Sequence, residues 1–454
     1  MVSRMRRFAG IAVVLALGVT LLPASASGAL RQLSGPAGCL VDRSMPAGQC
    51  TAVRALRGPG PFEGSNAVAV SPDGRYVYVA AARSNAVAIL RRDRRSGRLT
   101  QARGARGCIA AGGAGGCATA EVLGWPNSVA MSPDGRDVYV TSRDSDAVTV
   151  FRRDARTGAL TEAGCVAAGG AGSCAAGRGL DGPDVVVVSP DGRNVYVGAF
   201  SGNAVAVLAR DRSTGALSQA SGTSGCVAAD ATEGCATGLA LTAVEGMAVS
   251  RDGRSVYAAS AISGAVAVFA RDRSTGTLAQ ATDGSGCLVT GPAAGCTPAR
   301  RLAGANAVAL SPDDHAVYVT SLLSNSVTAF ARSGTGQLTQ LVESFGCVVF
   351  GPPRGCTPGR ALKAPEGVAV APDGRSVYVA AFSSGAVDVL RRLSPSGGIL
   401  PRAGRGGCVA RDGSSGCERG RRLRGVSSVA VSPDGRHLYA TAFASSAVAV
   451  FRTG

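Results

Sequence analysis

The chain has 454 residues, of which 46% are hydrophobic and only 4% aromatic, and it carries a formal net charge of +17. A chain this rich in valine, alanine and leucine can bury a large core, which excludes intrinsic disorder. No arginine run, aromatic platform or helix-turn-helix pattern accompanies the charge, so nucleic acid is not predicted as a partner.

The first 26 residues have the pattern of an export signal. Three arginines within residues 4–7 precede an apolar run, 8–22, and a small-residue cleavage site, 24–26. The apolar run is short for a membrane-spanning helix, and no later stretch is long enough to span a bilayer. The sequence therefore predicts a signal peptide over residues 1–26 and a single secreted domain over residues 27–454.

A motif of the type Ser-Pro-Asp-Gly-Arg recurs seven times, at intervals of 57–61 residues. The copies begin at Ser71, Ser132, Ser189, Ser250, Ser311, Ala371 and Ser432. Each repeat holds four short alternating or apolar segments separated by turn residues, for example 306–311, 317–320, 326–330 and 337–341. Proline presets the first turn position and glycine accepts a positive φ, so the motif predicts a tight hairpin. Seven units of four antiparallel strands predict an all-β fold, a seven-bladed β-propeller.

The two ends of the chain predict how the ring closes. The seventh repeat stops at Gly454, where its fourth strand would begin. Residues 28–32 resemble residues 215–219, which form an internal fourth strand in this scheme. We therefore expect the N-terminal strand to complete the C-terminal blade, so that the ring has no free sheet edge.

The predicted second strands carry Val-Tyr-Val-Thr or Val-Tyr-Val-Ala after the turn motif, as at residues 138–141 and 377–380. This pattern resembles the YVTN repeat of the lactonase-like seven-bladed β-propellers, over essentially all of the chain after residue 26. The resemblance implies the fold more strongly than an activity, because propellers host many unrelated functions. Seven-bladed lactonase and muconate-cyclase relatives depend on histidine, glutamate and arginine in the channel, and this chain has no channel histidine.

The fourteen cysteines form seven local pairs, each between the fourth strand of one repeat and the first strand of the next. The pairs are Cys39 with Cys50, Cys108 with Cys117, Cys165 with Cys174, Cys226 with Cys235, Cys287 with Cys296, Cys347 with Cys356 and Cys408 with Cys417. An even count at regular spacing in an exported chain indicates disulfides, and no histidine lies near a pair to complete a zinc site. These loops and the turns between second and third strands should share one face of the ring, which we call the crown.

A polar residue lies five positions before each turn serine, at the start of the first strand. The set is Asn66, Asn127, Asp184, Glu245, Asn306, Glu366 and Ser427. First strands line the channel of a propeller, so these side chains should converge near its crown-side mouth. Their carboxylates and amides are hard oxygen donors that suit Ca²⁺, and we predict Asn66, Asn127, Asp184, Glu245, Asn306 and Glu366 as candidate metal ligands. The other interpretation is a water-filled channel whose polar side chains solvate one another.

Few other side chains are candidates for chemistry. His315 and His437 lie beside the Pro-Asp turns, on the face opposite the crown, and are predicted to be solvated; no catalytic residue is predicted. Seven tyrosines share one register in the second strands, which indicates core packing or a repeated hydrogen bond. They are Tyr78, Tyr139, Tyr196, Tyr257, Tyr318, Tyr378 and Tyr439.

The second repeat departs most from the common pattern. It holds the only tryptophan, Trp125, two residues before Asn127, and it has Arg143 and Asp144 in a turn where most other repeats have small or apolar residues. We predict that Trp125, Arg143 and Asp144 contact a ligand at the crown, with the indole stacking on a sugar or organic molecule. The other interpretation of Trp125 is that it covers a blade interface.

Together these features predict an exported, monomeric scaffold that binds a ligand or partner on the crown: a protein, a glycan or a small molecule. The alternative is a metal-dependent lactone hydrolase in which a channel ion polarises the lactone carbonyl and activates water, with Asp184, Glu245 and Glu366 as its carboxylates. A third hypothesis is attachment to an anionic wall polymer through crown arginines such as Arg421, Arg422 and Arg424.

Overall fold

Seven β-sheets form a closed ring. The computed structural model describes residues 29–60, 67–293, 295–342 and 344–454, so the predicted signal peptide lies outside the described residues. We number the sheets as blades 1–7 in the order of their first strands. The first strands of neighbouring blades contact each other around the whole ring, including those of blades 7 and 1. The predicted seven-bladed β-propeller is confirmed.

Three antiparallel strands lead outwards from the centre of each blade. The first strands are Val68–Val70, Pro126–Met131, Pro183–Val188, Val244–Val249, Ala305–Leu310, Pro365–Val370 and Val426–Val431. The second strands are Tyr76–Ala81, Asp137–Ser142, Asn194–Ala199, Ser255–Ser260, Ala316–Ser321, Ser376–Ala381 and His437–Ala442. The third strands are Ala86–Arg92, Ala147–Arg153, Ala204–Arg210, Ala265–Arg271, Ser326–Arg332, Ala386–Arg392 and Ala447–Arg452. Their bounds in blade 5 lie within two residues of the segments predicted from the sequence.

The fourth strand is continuous in blade 2, as Leu160–Ala168, and is divided into two segments in the other blades. The outer segments are Leu99–Gln101, Leu217–Gln219, Leu278–Gln280, Leu338–Gln340, Ile399–Pro401 and, in blade 7, Arg31–Gln32. The inner segments are Cys108–Ala111, Cys226–Ala228, Cys287–Thr290, Cys347–Val349, Cys408–Ala410 and Cys39–Asp42.

The helices in the described ranges are short 3-10 turns: Gly35–Gly38, Ala82–Ser84, Gly104–Gly107, Ala114–Gly116, Arg143–Ser145, Gly222–Gly225, Thr232–Gly234, Ser344–Gly346, Arg405–Gly407, Ser414–Gly416 and Phe443–Ser445. None of these is long and apolar enough to cross a bilayer.

A short fifth strand, which the sequence did not predict, runs parallel to the inner segment of the fourth. The fifth strands are Ala118–Ala120, Ala175–Gly177, Ala236–Thr237, Thr297–Ala299, Thr357–Pro358, Glu418–Arg419 and Thr51–Val53. The disulfide of each crown loop explains why the fifth strand forms. In blade 1 it holds the Cα atoms of Cys108 and Cys117 4.8 Å apart, which is the spacing of hydrogen-bonded strands.

The repeated turn is built from its own side chains, as blade 3 illustrates. The Ser189 hydroxyl donates to Oδ1 of Asp191 (2.6 Å) and accepts the N–H of Asn194 (3.0 Å). Gly192 adopts a φ of +66° and donates its N–H to the Ser189 carbonyl (2.8 Å). A glycine is favoured there because a side chain would strain this left-handed conformation.

The N-terminal segment supplies the outer strands of blade 7, which is the closure that the sequence predicted. Arg31 pairs with Arg452, and Leu40 pairs with Val448 on the same third strand. Leu40 is 1% exposed and packs in the core between blades 7 and 1. Residues distant in sequence therefore bury a continuous core across the junction.

An arginine network joins neighbouring blades on the face opposite the crown. Arg271 of blade 4 donates from Nε to the Tyr196 hydroxyl (2.6 Å) and from Nη2 to Asp191 Oδ2 (3.0 Å), both in blade 3. Tyr196 in turn donates to the Gly276 carbonyl (2.8 Å), and burial raises the pKa of Tyr196 to about 12, so the hydroxyl keeps its proton. Six interfaces have this arginine: Arg92, Arg153, Arg210, Arg271, Arg332 and Arg392. Thr453 occupies the position in blade 7, where its hydroxyl donates to the Gly435 carbonyl. The shared position of the tyrosines in the second strands thus corresponds to a hydrogen bond that is repeated between blades.

Candidate functional site: the crown and the channel mouth

Seven disulfides close the crown loops, and the predicted pairing is confirmed at each of them. The bonded pairs are Cys39 with Cys50, Cys108 with Cys117, Cys165 with Cys174, Cys226 with Cys235, Cys287 with Cys296, Cys347 with Cys356 and Cys408 with Cys417. Seven disulfides also indicate that the chain folds in an oxidising compartment.

Within each blade the disulfide loop is also bonded to the turn between the second and third strands. In blade 1 the N–H of Ala111 donates to the Asn85 carbonyl (2.9 Å), and in blade 6 that of Arg411 donates to the Gly385 carbonyl (3.0 Å). The crown is therefore a set of loops fixed by covalent and hydrogen bonds.

The polar residues of the channel mouth are buried rather than solvated. Asn127, Asp184, Glu245, Asn306, Glu366 and Ser427 are each at most 2% exposed, and Asn66 lies outside the described residues. Asn306 donates to the Pro365 carbonyl of blade 6 (3.1 Å) and accepts from Thr320 (2.7 Å). Ser427 lies 3.1 Å from the Thr441 hydroxyl. The described polar side chains at this level are therefore withdrawn from solvent, and those of Asn306 and Ser427 bond to neighbouring strands.

Blade 2 contributes a cation to this ring. Nη1 of Arg143 lies 3.5 Å from Oδ1 of Asp184, which also accepts a hydrogen bond from the Asn127 amide. The Arg143 guanidinium lies over the Phe200 ring of blade 3, 4.6 Å from its centroid. Arg143 keeps 29% of its side chain exposed, whereas the Asp184 side chain is fully buried. The arginine therefore neutralises a buried carboxylate while remaining accessible from the crown.

The three residues predicted to contact a ligand lie together at this point. The Arg143 N–H donates to the Trp125 carbonyl (3.1 Å), and the Asp144 N–H donates to the Gly124 carbonyl (3.3 Å). Trp125 is half-buried and Asp144 is exposed. The fold thus places the main chains of Trp125, Arg143 and Asp144 next to one another, where the guanidinium of Arg143 reaches Asp184 of the channel mouth.

Trp125 also has an unusual backbone. Its φ is +49°, in the left-handed region that L-residues other than glycine rarely adopt. The N–H of Trp125 donates to Asn85 Oδ1 of blade 1 (2.9 Å), which holds the conformation in place. Sequence reasoning could not detect this strain. The equivalent left-handed residue is a glycine in blades 3, 5 and 7 and an alanine in blades 4 and 6: Gly182, Gly304, Gly425, Ala243 and Ala364.

The calcium site predicted at the channel mouth stays a prediction. A Ca²⁺ ion takes six to eight oxygen ligands, several of them carboxylates. Within the described ranges, no group of three or more Asp, Glu, His or Cys side chains is placed to share an ion. Asp184 is instead paired with a guanidinium. The candidate ligands Asn127 and Asn306 are not among the residue types of this grouping, and Asn66 lies outside the described residues.

Two basic pockets flank the Cys39–Cys50 loop on the crown. The first, of about 420 Å³, is lined by five arginines of blade 6 and its connection to blade 7: Arg411, Arg419, Arg421, Arg422 and Arg424. The second, of about 310 Å³, includes Arg43, Arg54, Arg57 and Arg83. The sequence hypothesis named Arg421, Arg422 and Arg424. It did not name Arg411 and Arg419 of the same segment, and Arg43, Arg54, Arg57 and Arg83 come near these only because ring closure brings the two ends of the chain together.

The histidines differ in environment, which corrects one prediction. The His315 side chain is 68% exposed, as expected, but His437 is 1% exposed. His437 begins the second strand of blade 7 and lies beneath Gly97 of blade 1, where a Cβ atom would contact the ring. Arg92 Nη2 lies 2.8 Å from His437 Nδ1, so the imidazole accepts this hydrogen bond. Burial, together with the charge of Arg92, lowers the pKa of His437 to about 4.

This environment predicts a loss of stability in acid. The unfolded histidine, with a pKa of about 6.5, takes up its proton first, so its contribution to stability is lost as the pH falls from about 6.5 towards about 4. Asp388 has the opposite effect: burial raises its pKa to about 7, so its contribution to stability falls as the pH rises. Asp388 is the same in wild type and in His437→Asn, so comparing the two proteins isolates the effect of His437. Asparagine is chosen because Asn194 occupies the same position in blade 3. From about pH 7 to about pH 4.5 the Tm should fall further in wild type than in the variant; parallel decreases would contradict the assignment.

Comparison with known proteins supports the fold and gives the family resemblance. Residues 119–229 match the model of a family described as Lactonase, 7-bladed beta-propeller. This segment contains Trp125, Asn127, Arg143, Asp144 and Asp184. The match confirms the resemblance to lactonase-like propellers that the repeats predicted. No curated protein matches the chain significantly.

Solved structures of varied function share the fold. The periplasmic gluconolactonase of Pseudomonas aeruginosa aligns with a TM-score of 0.54 at 18% identity, over 81% of this chain and 87% of that chain. Hydrazine synthase of Kuenenia stuttgartiensis aligns with a TM-score of 0.53 at 18% identity, over 87% and 97%. A chain of the mitotic checkpoint complex aligns with a TM-score of 0.56 at 15% identity, over 99% and 98%. At such identities the similarity shows the fold alone.

Proposed function

We propose that this protein is an exported, monomeric β-propeller that binds a small polar organic ligand on its crown, without converting it. The site comprises Trp125, Arg143 and Asp144 at the channel mouth. An exported location is supported by the seven disulfides, which are typical of proteins outside the cytoplasm.

The indole of Trp125 carries the proposal. Blades 3 to 7 have only glycine or alanine at this left-handed position, and Ala243 and Ala364 show that the position tolerates a Cβ atom without a larger side chain. The half-buried indole is therefore an addition that the fold itself does not require, next to Arg143 in the channel-mouth region.

The chemistry of the site favours a sugar or sugar acid. An indole face packs against the C–H groups of a sugar ring, while the exposed part of Arg143 can donate hydrogen bonds to a carboxylate or a carbonyl. Asp144, which is exposed, accepts hydrogen bonds from hydroxyl groups. The disulfide loops keep these groups in place before the ligand arrives, which lowers the entropic cost of binding.

Because Trp125 is the only tryptophan of the chain, its fluorescence reports on this site alone. We expect titration with gluconate or δ-gluconolactone to give a saturable change in emission, which Arg143→Gln should weaken at least about tenfold. Trp125→Gly is the matched control for folding, because glycine suits the left-handed backbone, and its Tm should not be lower than that of wild type. A flat titration with both ligands, or one that is unchanged in Arg143→Gln, would refute the proposal.

A second candidate function is lactone hydrolysis. The observation that favours it is that the family match over residues 119–229 includes Asn127 and Asp184 of the channel mouth. Under this alternative, δ-gluconolactone is hydrolysed faster than in buffer, and Glu245→Gln abolishes turnover. Under the binding proposal, Glu245→Gln leaves the fluorescence titration unchanged and neither protein accelerates hydrolysis. Assays in EDTA and in calcium decide whether any turnover needs an ion.

A further inference from the structure

We infer that the crown of blades 6, 7 and 1 binds a linear acidic polysaccharide, which lies across the Cys39–Cys50 loop and places carboxylates in the two basic pockets. The inference rests on the proposed role of the crown as the binding face, but it concerns a different part of that face from Trp125.

The two pockets lie on either side of the Cys39–Cys50 loop. Residues 47–50 of the Cys39–Cys50 loop line the first pocket, and residues 42–44 of the same loop line the second. The far wall of the first pocket comes from blade 6, and that of the second comes from the disulfide loop of blade 1. A chain that occupies both pockets therefore has to cross the loop.

Some of the arginines shape the first pocket and others remain available to a ligand. Arg421 donates to the Leu33 carbonyl (2.9 Å) and to Gln49 Oε1 (2.9 Å), and Arg422 donates to the Pro46 carbonyl. These bonds fix the wall of the pocket. Arg411, Arg419 and Arg424 are exposed, and within the described ranges their guanidinium groups have no hydrogen bond or ion pair.

Nearby acids do not neutralise this surface. Glu418 forms an ion pair with Arg31 at the rim (3.6 Å), and Asp412 accepts the N–H of Ser414 within its own loop (3.0 Å). Asp42, at the second pocket, is 4% exposed and accepts the N–H of Leu56 (2.9 Å). The linings of the two pockets hold nine arginines and one acid, Asp42, so their net charge is positive and attracts a polyanion.

The lining favours a glycan among polyanions. Arginine binds carboxylates through paired, charge-assisted hydrogen bonds. The first pocket also offers the Gln49 amide and the Ser445 hydroxyl, which can bond to sugar hydroxyls. The residues that line the two pockets include no aromatic ring, so nucleobases have no surface on which to stack. Two pockets on one chain raise the affinity for a long polymer over that for a short one.

Binding of polygalacturonate to the full protein tests the inference. The triple variant Arg411→Ser, Arg419→Ser and Arg424→Ser should weaken binding about 30-fold at low salt. The matched control changes three exposed arginines of the basic pocket on the opposite face: Arg75→Ser, Arg94→Ser and Arg98→Ser. It removes the same net charge and should weaken binding less than about threefold. Digalacturonate, which cannot fill both pockets, should bind far more weakly than the polymer.

Three results would overturn the inference: no binding of the polymer, an equal loss in the two triple variants, or equal affinity for poly-glutamate of the same charge. The Arg143→Gln variant, which keeps the fluorescent Trp125, separates this inference from the proposed function. Its response to gluconate should be weakened, and it should still bind polygalacturonate. A protein whose Trp125 responds to gluconate but that does not bind polygalacturonate would refute the polysaccharide site alone.

Discussion

Replacing Arg271 with methionine is expected to lower the free energy of unfolding by about 3–5 kcal/mol, the usual cost of breaking a buried charged pair. The side chain is fully buried, and its Nη1 donates to the Gly253 carbonyl (2.9 Å) in addition to the bonds with Tyr196 and Asp191. Methionine retains most of the packing but none of these donors. Urea denaturation at neutral pH measures the loss.

Arg254 provides the matched control for this experiment. It lies in the turn of the same blade but is exposed, so Arg254→Met should change the free energy by less than about 0.5 kcal/mol. Tyr196→Phe removes one hydroxyl from the network and should cost about 1–2 kcal/mol. Equal effects of Arg271→Met and Arg254→Met would show that the network does not contribute to stability.

Much of the fold could be predicted because it depends on local patterns that recur. Each Pro-Asp-Gly turn forms its hydrogen bonds within a few residues, as Ser189 and Asp191 do. Seven copies of the motif therefore predict seven hairpins. The tyrosine register was visible in the same way. Its arginine partner was not, because Arg271 and Tyr196 lie 75 residues apart and meet only through the order of blades in the ring.

The sequence singled out the residues of the proposed site but not their electrostatic partners. Trp125, Arg143 and Asp144 stood out because they break the repeat, and the structure brings them together. That Arg143 reaches Asp184 of the next blade depends on side-chain direction, which the sequence does not specify. The burial of His437 escaped prediction for a related reason, since the covering residue, Gly97, belongs to another blade.

Ring closure by the N-terminal segment gives the second large expected effect. Leu40→Ala should lower the free energy of unfolding by about 2–5 kcal/mol, because it leaves a cavity in the core between blades 7 and 1. Leu288 has the same register in the fourth strand of blade 4, is 2% exposed and packs between blades 4 and 5.

Leu288→Ala is therefore the reference for a blade formed by contiguous sequence, and urea denaturation of both variants compares the two kinds of blade. If the N-terminal strand packs as tightly as an internal one, the two losses should agree within about 1 kcal/mol. A small loss for Leu40→Ala beside a full loss for Leu288→Ala would mean that blade 7 opens before the rest of the ring unfolds. In that case the basic pockets, which share the Cys39–Cys50 loop with this blade, would be the most mobile part of the crown.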